Sequence, residues 1–231
     1  MIKVVMIDID DTLLSFSESV KEAMREGFSL FGLKPYTEDM YPVFKRINDS
    51  LWRQIETGDL TYEELILRRW DMIFRELGIE FDGRIFEDHF LKHLYNSAVP
   101  EEGARALLEY LSPRYTLCAA SNGPYEQQMN RLKAAKMDGY FTHFFISSVI
   151  GAEKPSRLFF DRCFDVLREN GFADLSPEEV MIIGDSVSSD ISGGAAYGMR
   201  TCLYTKGAVS GTDGCGADHA AGSLSEIIHI L

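Results

Sequence analysis

The chain has 231 residues, room for one large domain or a core with an insertion, and 45% of them are apolar, ample for a folded interior. Its net charge of −13 and pI of about 4.8 argue against long nucleic acid, which needs basic patches, and against an anionic membrane surface. A small anionic substrate stays open, because one metal ion and one lysine reverse a local field.

The first segment, residues 1–13, is an apolar run ending in three carboxylates, Asp8, Asp10 and Asp11. Val4, Val5, Met6 and Ile7 show no alternation, as expected of a strand buried on both faces within a parallel sheet. The acids then stand at its carboxyl end, where open α/β sheets bind ligands. Side chains at i and i+2 of an extended chain point the same way, so Asp8 and Asp10 should share one small space.

Residues 14 to about 97 carry four helical patterns, near 17–31, 38–56, 61–77 and 83–96, with no strand pattern between them. Val20, Met24, Phe28 and Phe31 form the first stripe, and Gly32 is a plausible stop. Tyr41, Phe44, Leu51 and Ile55 form the second, with Gly58 after it. Thr61 with Glu64 reads as a capping box ahead of Leu65, Trp70, Ile73, Phe74 and Leu77. Trp52 and Trp70 fall at core-facing spacing, while Lys45, Arg46, Arg53, Arg68 and Arg69 read as a solvated face. His89 and His93 are spaced i, i+4 but have no third partner for zinc.

From about residue 100 helices and strands alternate. A helix is expected to start at Pro100, then a strand over 115–120, a helix over 124–137, a strand over 144–147 and a helix from Pro155 to Gly171. A fully apolar strand over 180–183, a helix over 190–197 and a strand over 200–204 follow, before a Gly- and Ala-rich tail (206–222) and a last helix near Ser223. The fold class is therefore α/β, a doubly wound parallel sheet with right-handed crossovers and an inserted all-helical cap domain. The boundaries are 1–14 plus 98–231 for the core and 15–97 for the cap, which leaves from the ligand-binding edge.

No apolar run approaches the ~20 residues of a membrane span, and the first residues show no signal-peptide pattern. Cys118, Cys163, Cys202 and Cys215 form no C-x-x-C pair, so reduced thiols and a cytoplasmic location are expected.

Four polar clusters each follow an apolar segment: Asp8-x-Asp10-x-Thr12, Ser121-Asn122, Lys154-Pro155 and Gly184-Asp185 with Asp190. Parallel strands bring such ends to one edge. The chemistry they suggest is transfer from a phosphate ester. Asp8 is the carboxylate nucleophile, forming an aspartyl-phosphate, and Asp10 moves the proton to the leaving oxygen and from water. Asp8 and Asp185 supply the hard oxygen ligands that Mg²⁺ prefers, with Asp10 and Asp190 as further acids at the metal. Asp190 stands close enough to hold a metal-bound water or Lys154. Ser121, the Asn122 backbone N–H and Thr12 are placed for phosphate oxygens, and Lys154 adds fixed positive charge.

These clusters are similar in order and type to the four motifs of the haloacid dehalogenase-like (HAD) hydrolase superfamily, and the helical insertion looks like its cap. The resemblance covers the core, about half the chain, and implies a HAD-like Rossmannoid sheet. In that superfamily the second acid two residues after the nucleophile marks phosphatases and is lacking in dehalogenases. Asp10 therefore favours phosphate chemistry, although Ser121-Asn122-Gly123 looks like the dehalogenase version of its motif. Asp10-Asp11-Thr12-Leu13 with Phe16, Ile47-Asn48-x-x-Leu51-Trp52, Gly58-x-Leu60-Thr61 and Arg69-Trp70 are in turn similar to the bacterial pyrimidine-5′-nucleotidase group. That resemblance implies a nucleoside 5′-monophosphate as substrate, with Asn48 and Trp52 facing base or sugar. A sugar-phosphate phosphatase, a phosphomutase on the same core and a binding module on an inactive scaffold are the alternatives.

Overall fold

The computed structural model describes residues 1–207 and 216–231; of the four cysteines, Cys215 lies outside them. The chain divides into two compact units, Met1–Phe16 with Ala98–Leu231, and Ser17–Ser97. Strand β1 (Val4–Ile7) opens the first unit.

The second unit is built on α1 (Phe16–Leu30), α2 (Met40–Glu56), α3 (Tyr62–Leu77) and α4 (Gly83–Asn96). Each follows its apolar stripe. The capping box holds: Glu64 N–H donates to Thr61 Oγ1 (3.2 Å) and Thr61 N–H to Glu64 Oε2 (3.0 Å), satisfying two donors that a helix start leaves open. Gly78 ends α3 with φ +64°, a conformation that an L side chain resists. The interior is aromatic. Phe28, Phe44, Trp70, Phe74, Phe86 and Phe90 are all buried, each worth roughly 1.5–3 kcal/mol in water-removed surface.

Arg69 departs from the solvated face expected of it: it is 2% exposed. Leu65, Arg69 and Ile73 lie at i, i+4, i+8, so the core stripe of α3 runs through Arg69. Its guanidinium pairs with buried Glu87, donates from Nη1 to Asn48 Oδ1 (3.0 Å), and sits over the Phe90 ring. Burial raises the Glu87 pKa, with Arg69 pulling it back down. Asn48 is thus committed to an internal network. Trp52 is half-buried with its ring beside Tyr62. His89 Nε2 meets the Ala23 carbonyl and His93 meets Glu26.

The first unit continues with α5 (Ala104–Leu111), β2 (Thr116–Ser121), α6 (Tyr125–Ala134), β3 (His143–Ile146) and α7 (Ser147–Ile150). Then come α8 (Arg157–Glu169), β4 (Val180–Gly184), α9 (Ser192–Tyr197), β5 (Arg200–Tyr204), β6 (His219–Ala221) and α10 (Leu224–Ile227). All strand pairs are parallel and the order is β3-β2-β1-β4-β5-β6. The absence of alternation in β1 has the expected cause. Val5 and Ile7 pack with Leu107 and Leu108 on one face, and Val4 and Met6 with Phe159 and Phe160 on the other.

Three local expectations change. Pro100 starts no helix: it bridges antiparallel to Leu14, with Ser15 N–H donating to Val99 O and Glu101 N–H to Leu13 O, so the chain crosses extended before turning at Gly103. The helix expected over 190–197 begins earlier, as a wide turn over Val187–Ile191 with one residue more than an α-turn. Strand β6 lies inside the Gly- and Ala-rich tail, where no strand was expected; it is three residues long, too short for periodicity to show. Among the described residues no helix is long and apolar enough to cross a membrane.

Candidate active site

The strand order reverses at β1. The chain leaves β1 to reach β2 on one side and meets β4 on the other, and the crevice at such a switch point is where open α/β sheets bind ligands. The ladder carries straight into the site, since Asp8 N–H donates to Ile183 O (2.9 Å). After Asp8 the backbone curls tightly. Leu13 and Leu14 N–H both return to Ile9 O, and Asp11 takes φ +58°.

Lys154, in the loop before α8, is the hub. Its side chain is 2% exposed, and Nζ donates to Asp8 Oδ1 (2.7 Å), Asp190 Oδ1 (2.6 Å) and Ala120 O (2.6 Å), the full capacity of an ammonium. Asn122 fixes the hub's backbone, with Oδ1 accepting from Lys154 N–H and Nδ2 donating to Lys154 O, both at 2.8 Å. Burial alone would lower the lysine pKa; attraction to Asp190 and Asp8 outweighs it, and the pKa is raised.

Carboxylate oxygens of Asp8, Asp185 and Asp190 all lie within 4.8 Å of one another. Burial raises the pKa of Asp8, against the pull of Lys154, and burial with the charges of Asp8 and Asp190 raises that of Asp185. Asp8, Asp185 and Asp190 carry more negative charge than Lys154 offsets, in a site where Asp8 and Asp190 are buried and Asp185 half-buried. A hard divalent cation suits such an oxygen-only donor set. Asp190 is the poorest of the three donors, since its Oδ1 faces Lys154 and its Oδ2 accepts from Ser186 N–H (3.2 Å).

Asp10, expected among the acids at the metal, stands outside this cluster. Its Oδ2 accepts from Gln128 Nε2 (2.6 Å) and its Oδ1 from the Arg131 guanidinium. Gln128 also donates to Ser121 Oγ (2.8 Å), so Ser121 is tied to the same network. Thr12 is fully buried, its hydroxyl 3.5 Å from Asp185 Oδ1, a long contact. Asp11 binds Lys206, which also binds Glu101.

Sequence reasoning missed Gln128, Arg131 and Lys206. A signal for the first two existed. Gln128, Arg131, Leu132 and Ala135 occupy i, i+3, i+4 and i+7, so two polar residues sit in the buried stripe of α6. Lys206 follows β5 at φ +51° and carries no comparable mark.

Gly184 shows how tightly the site is built. A Cβ there would fall 2.1 Å from Asp190 Oδ2. Gly184→Ala is therefore expected to displace Asp190 from Lys154 and to destabilise the protein by about 1–3 kcal/mol; an unchanged urea midpoint would show that the site yields freely.

A cluster of acids around one buried lysine at a switch point, with no glycine-rich phosphate loop after β1, defines an acid-rich α/β enzyme core rather than a dinucleotide-binding one. The chain belongs to the haloacid dehalogenase-like hydrolases, whose family profile matches residues 2–198. It is 30% identical over 229 residues to the HAD-hydrolase YfnB of Bacillus subtilis, covering 99% of this chain and 95% of YfnB. A crystal structure of YfnB bound to magnesium superposes with a TM-score of 0.87 over 100% of this chain and 98% of that one. The pyrimidine 5′-nucleotidase PynA of Streptococcus pneumoniae is 30% identical over 206 residues, 87% of this chain and 83% of PynA. A glyceraldehyde 3-phosphate phosphatase of Methanopyrus kandleri is 26% identical over 212 residues, 90% of this chain and 85% of that protein.

Proposed function

We propose that this chain is a Mg²⁺-dependent phosphomonoesterase acting on nucleoside 5′-monophosphates, with pyrimidine nucleotides preferred. The observation that carries the reading is the pairing of Asp8 with Lys154 at the head of β1, beside Asp185, with a second acid two residues on. Similarity to PynA supports the nucleotide, and the cytoplasm suits the buried free thiols of Cys118, Cys163 and Cys202.

Lys154 holds Oδ1 of Asp8, which leaves Oδ2 to attack phosphorus. The Asp8–phosphorus bond forms as the ester P–O bond breaks, and the departing oxygen takes a proton from Asp10. Water then attacks the aspartyl-phosphate, gives its proton to Asp10, and releases phosphate and the Asp8 carboxylate. Ser121, the Asn122 N–H and Thr12 line the path for phosphate oxygens, and Lys154 balances charge as it builds. Asp8 and Asp185 would hold Mg²⁺, with Asp190 orienting Lys154; the ion supplies positive charge to the phosphoryl oxygens when bound.

The metal assignment has a readout apart from turnover. Mg²⁺ should raise the melting temperature, by the equivalent of about 2.7 kcal/mol at 100 times its Kd. Asp185→Asn should lose most of that shift, and an undiminished shift would remove Asp185 from the site. EDTA should abolish phosphate release.

The substrate is tested by phosphate release from UMP, dTMP, purine nucleotides and glyceraldehyde 3-phosphate. Pyrimidine nucleotides should lead the sugar phosphate in kcat/KM by at least about tenfold, or 1.4 kcal/mol of differential transition-state binding. The Methanopyrus kandleri relative makes a sugar phosphate the second reading, and the reverse ranking would establish it.

A further inference from the structure

Resting on the phosphatase reading above, we propose that Arg131 and Gln128 are positioning residues for Asp10, holding its carboxylate in the orientation from which it delivers and recovers the proton. Both are fully buried on α6, the helix that starts where β2 ends. They are three residues apart and so share a face. Each takes a different oxygen of Asp10, the guanidinium on Oδ1 and the amide on Oδ2. Two donors on two oxygens fix both the plane and the rotamer of the carboxylate, while each oxygen keeps a second lone pair for the proton it carries.

The amide is itself oriented. Arg131 Nη1 donates to Gln128 Oε1 (2.9 Å), which forces Nε2 toward Asp10 and Ser121. A flipped amide would set a carbonyl against a carboxylate and two N–H groups against the guanidinium. The Asp10 side chain is 28% exposed while that of Arg131 is 0%, so a buried cation serves an acid at the open face of the site. Burying a guanidinium is costly. A salt bridge that merely fastened α6 to the sheet would not need to end on this acid.

A fastening role and a positioning role separate by leaving group. The ester oxygen of a nucleoside 5′-monophosphate leaves as a poor alkoxide and needs the proton of Asp10 as the P–O bond breaks. The p-nitrophenolate of p-nitrophenyl phosphate leaves without it. The parameter kcat/KM reads only the steps through first P–O cleavage, before the dephosphorylation that both substrates share. Arg131→Met and Gln128→Leu should each lower kcat/KM for UMP by ~10²-fold, toward the loss set by Asp10→Asn. The loss on p-nitrophenyl phosphate should be smaller by at least about tenfold. Arg131→Lys, which keeps the positive charge and N–H donors but not the planar fork, should recover part of the UMP activity.

Equal losses on the two substrates, tracking the fall in melting temperature, would overturn the proposal and leave a fastening salt bridge. If Arg131→Met does not fold, Gln128→Leu carries the same comparison, because it removes no charge. Wild-type protein inactive on both substrates would overturn the phosphatase reading and this proposal together. Wild-type activity without a leaving-group split in the variants would overturn this proposal alone.

Discussion

Asp8→Asn is expected to lower kcat for UMP by about 10⁵–10⁶-fold, the scale seen when a nucleophile is removed from a site whose other groups remain. The substitution keeps the shape of the side chain and leaves the amide oxygen able to accept from Lys154. What it removes is the attacking lone pair, because an amide nitrogen delocalises its pair into the carbonyl. The fold should survive. Asp8 lies among Asp190, Asp185 and Asp10, and burial raises its pKa, so neutralising it relieves repulsion in metal-free buffer. The melting temperature without Mg²⁺ should therefore stay the same or rise, while turnover vanishes. An Asp8→Asn protein that keeps a substantial fraction of wild-type phosphate release would end the aspartyl-phosphate mechanism. One that loses both turnover and fold would leave the stability argument wrong.

Lys154→Met carries the second large effect, this time on stability. It deletes the ammonium that meets Asp8, Asp190 and the Ala120 carbonyl, and strands two buried carboxylates. Breaking a buried pair by removing one partner costs about 3–5 kcal/mol, mostly the penalty of the charges left behind. The loss should be partly reversed in Lys154→Met/Asp190→Asn, which removes one stranded charge, with a coupling on the order of 1–3 kcal/mol. The probe matters here. Both tryptophans, Trp52 and Trp70, lie in the helical unit, so their emission follows that unit. Circular dichroism in urea follows the strands and helices of the other one as well. A single variant within ~1 kcal/mol of wild type would mean that Lys154 does not neutralise the cluster.

Much of this protein was legible without coordinates. The helices of the insertion follow from apolar residues at helical spacing, and the capping box at Thr61 from two residue types three apart. The strand β1 followed from an apolar run too short for a helix and lacking alternation, because a strand in the middle of a parallel sheet meets apolar helices on both faces. Asp8, Ser121, Lys154 and Asp185 were placed at one edge because every parallel strand in such a sheet ends on the same side. These inferences rest on interactions between near neighbours in sequence, or on a rule that any sheet of this class obeys.

The sequence put Asp190 within reach of Lys154, and the structure joins the two at 2.6 Å; the sequence could not determine the other polar partners. Lys154 and Asp8 are 146 positions apart, and Arg131 and Asp10 are 121. Nothing in a local pattern says that Lys154 divides its three donors between two acids and a carbonyl. Nor does any local pattern take the Asp10 carboxylate to a guanidinium on α6, away from the Asp8, Asp185 and Asp190 cluster in which it was expected. Arg69 was misplaced for the same reason: helical position favours burial, charge favours solvent, and only the presence of Glu87 and Asn48 opposite decides between them. For the opening strand, the sequence by itself determined that its acids occupy the ligand edge of the sheet. The tertiary structure divided them, Asp8 with a lysine in a three-acid cluster and Asp10 with Arg131 and Gln128, because the energy of a buried charge depends on partners that only the fold brings within reach.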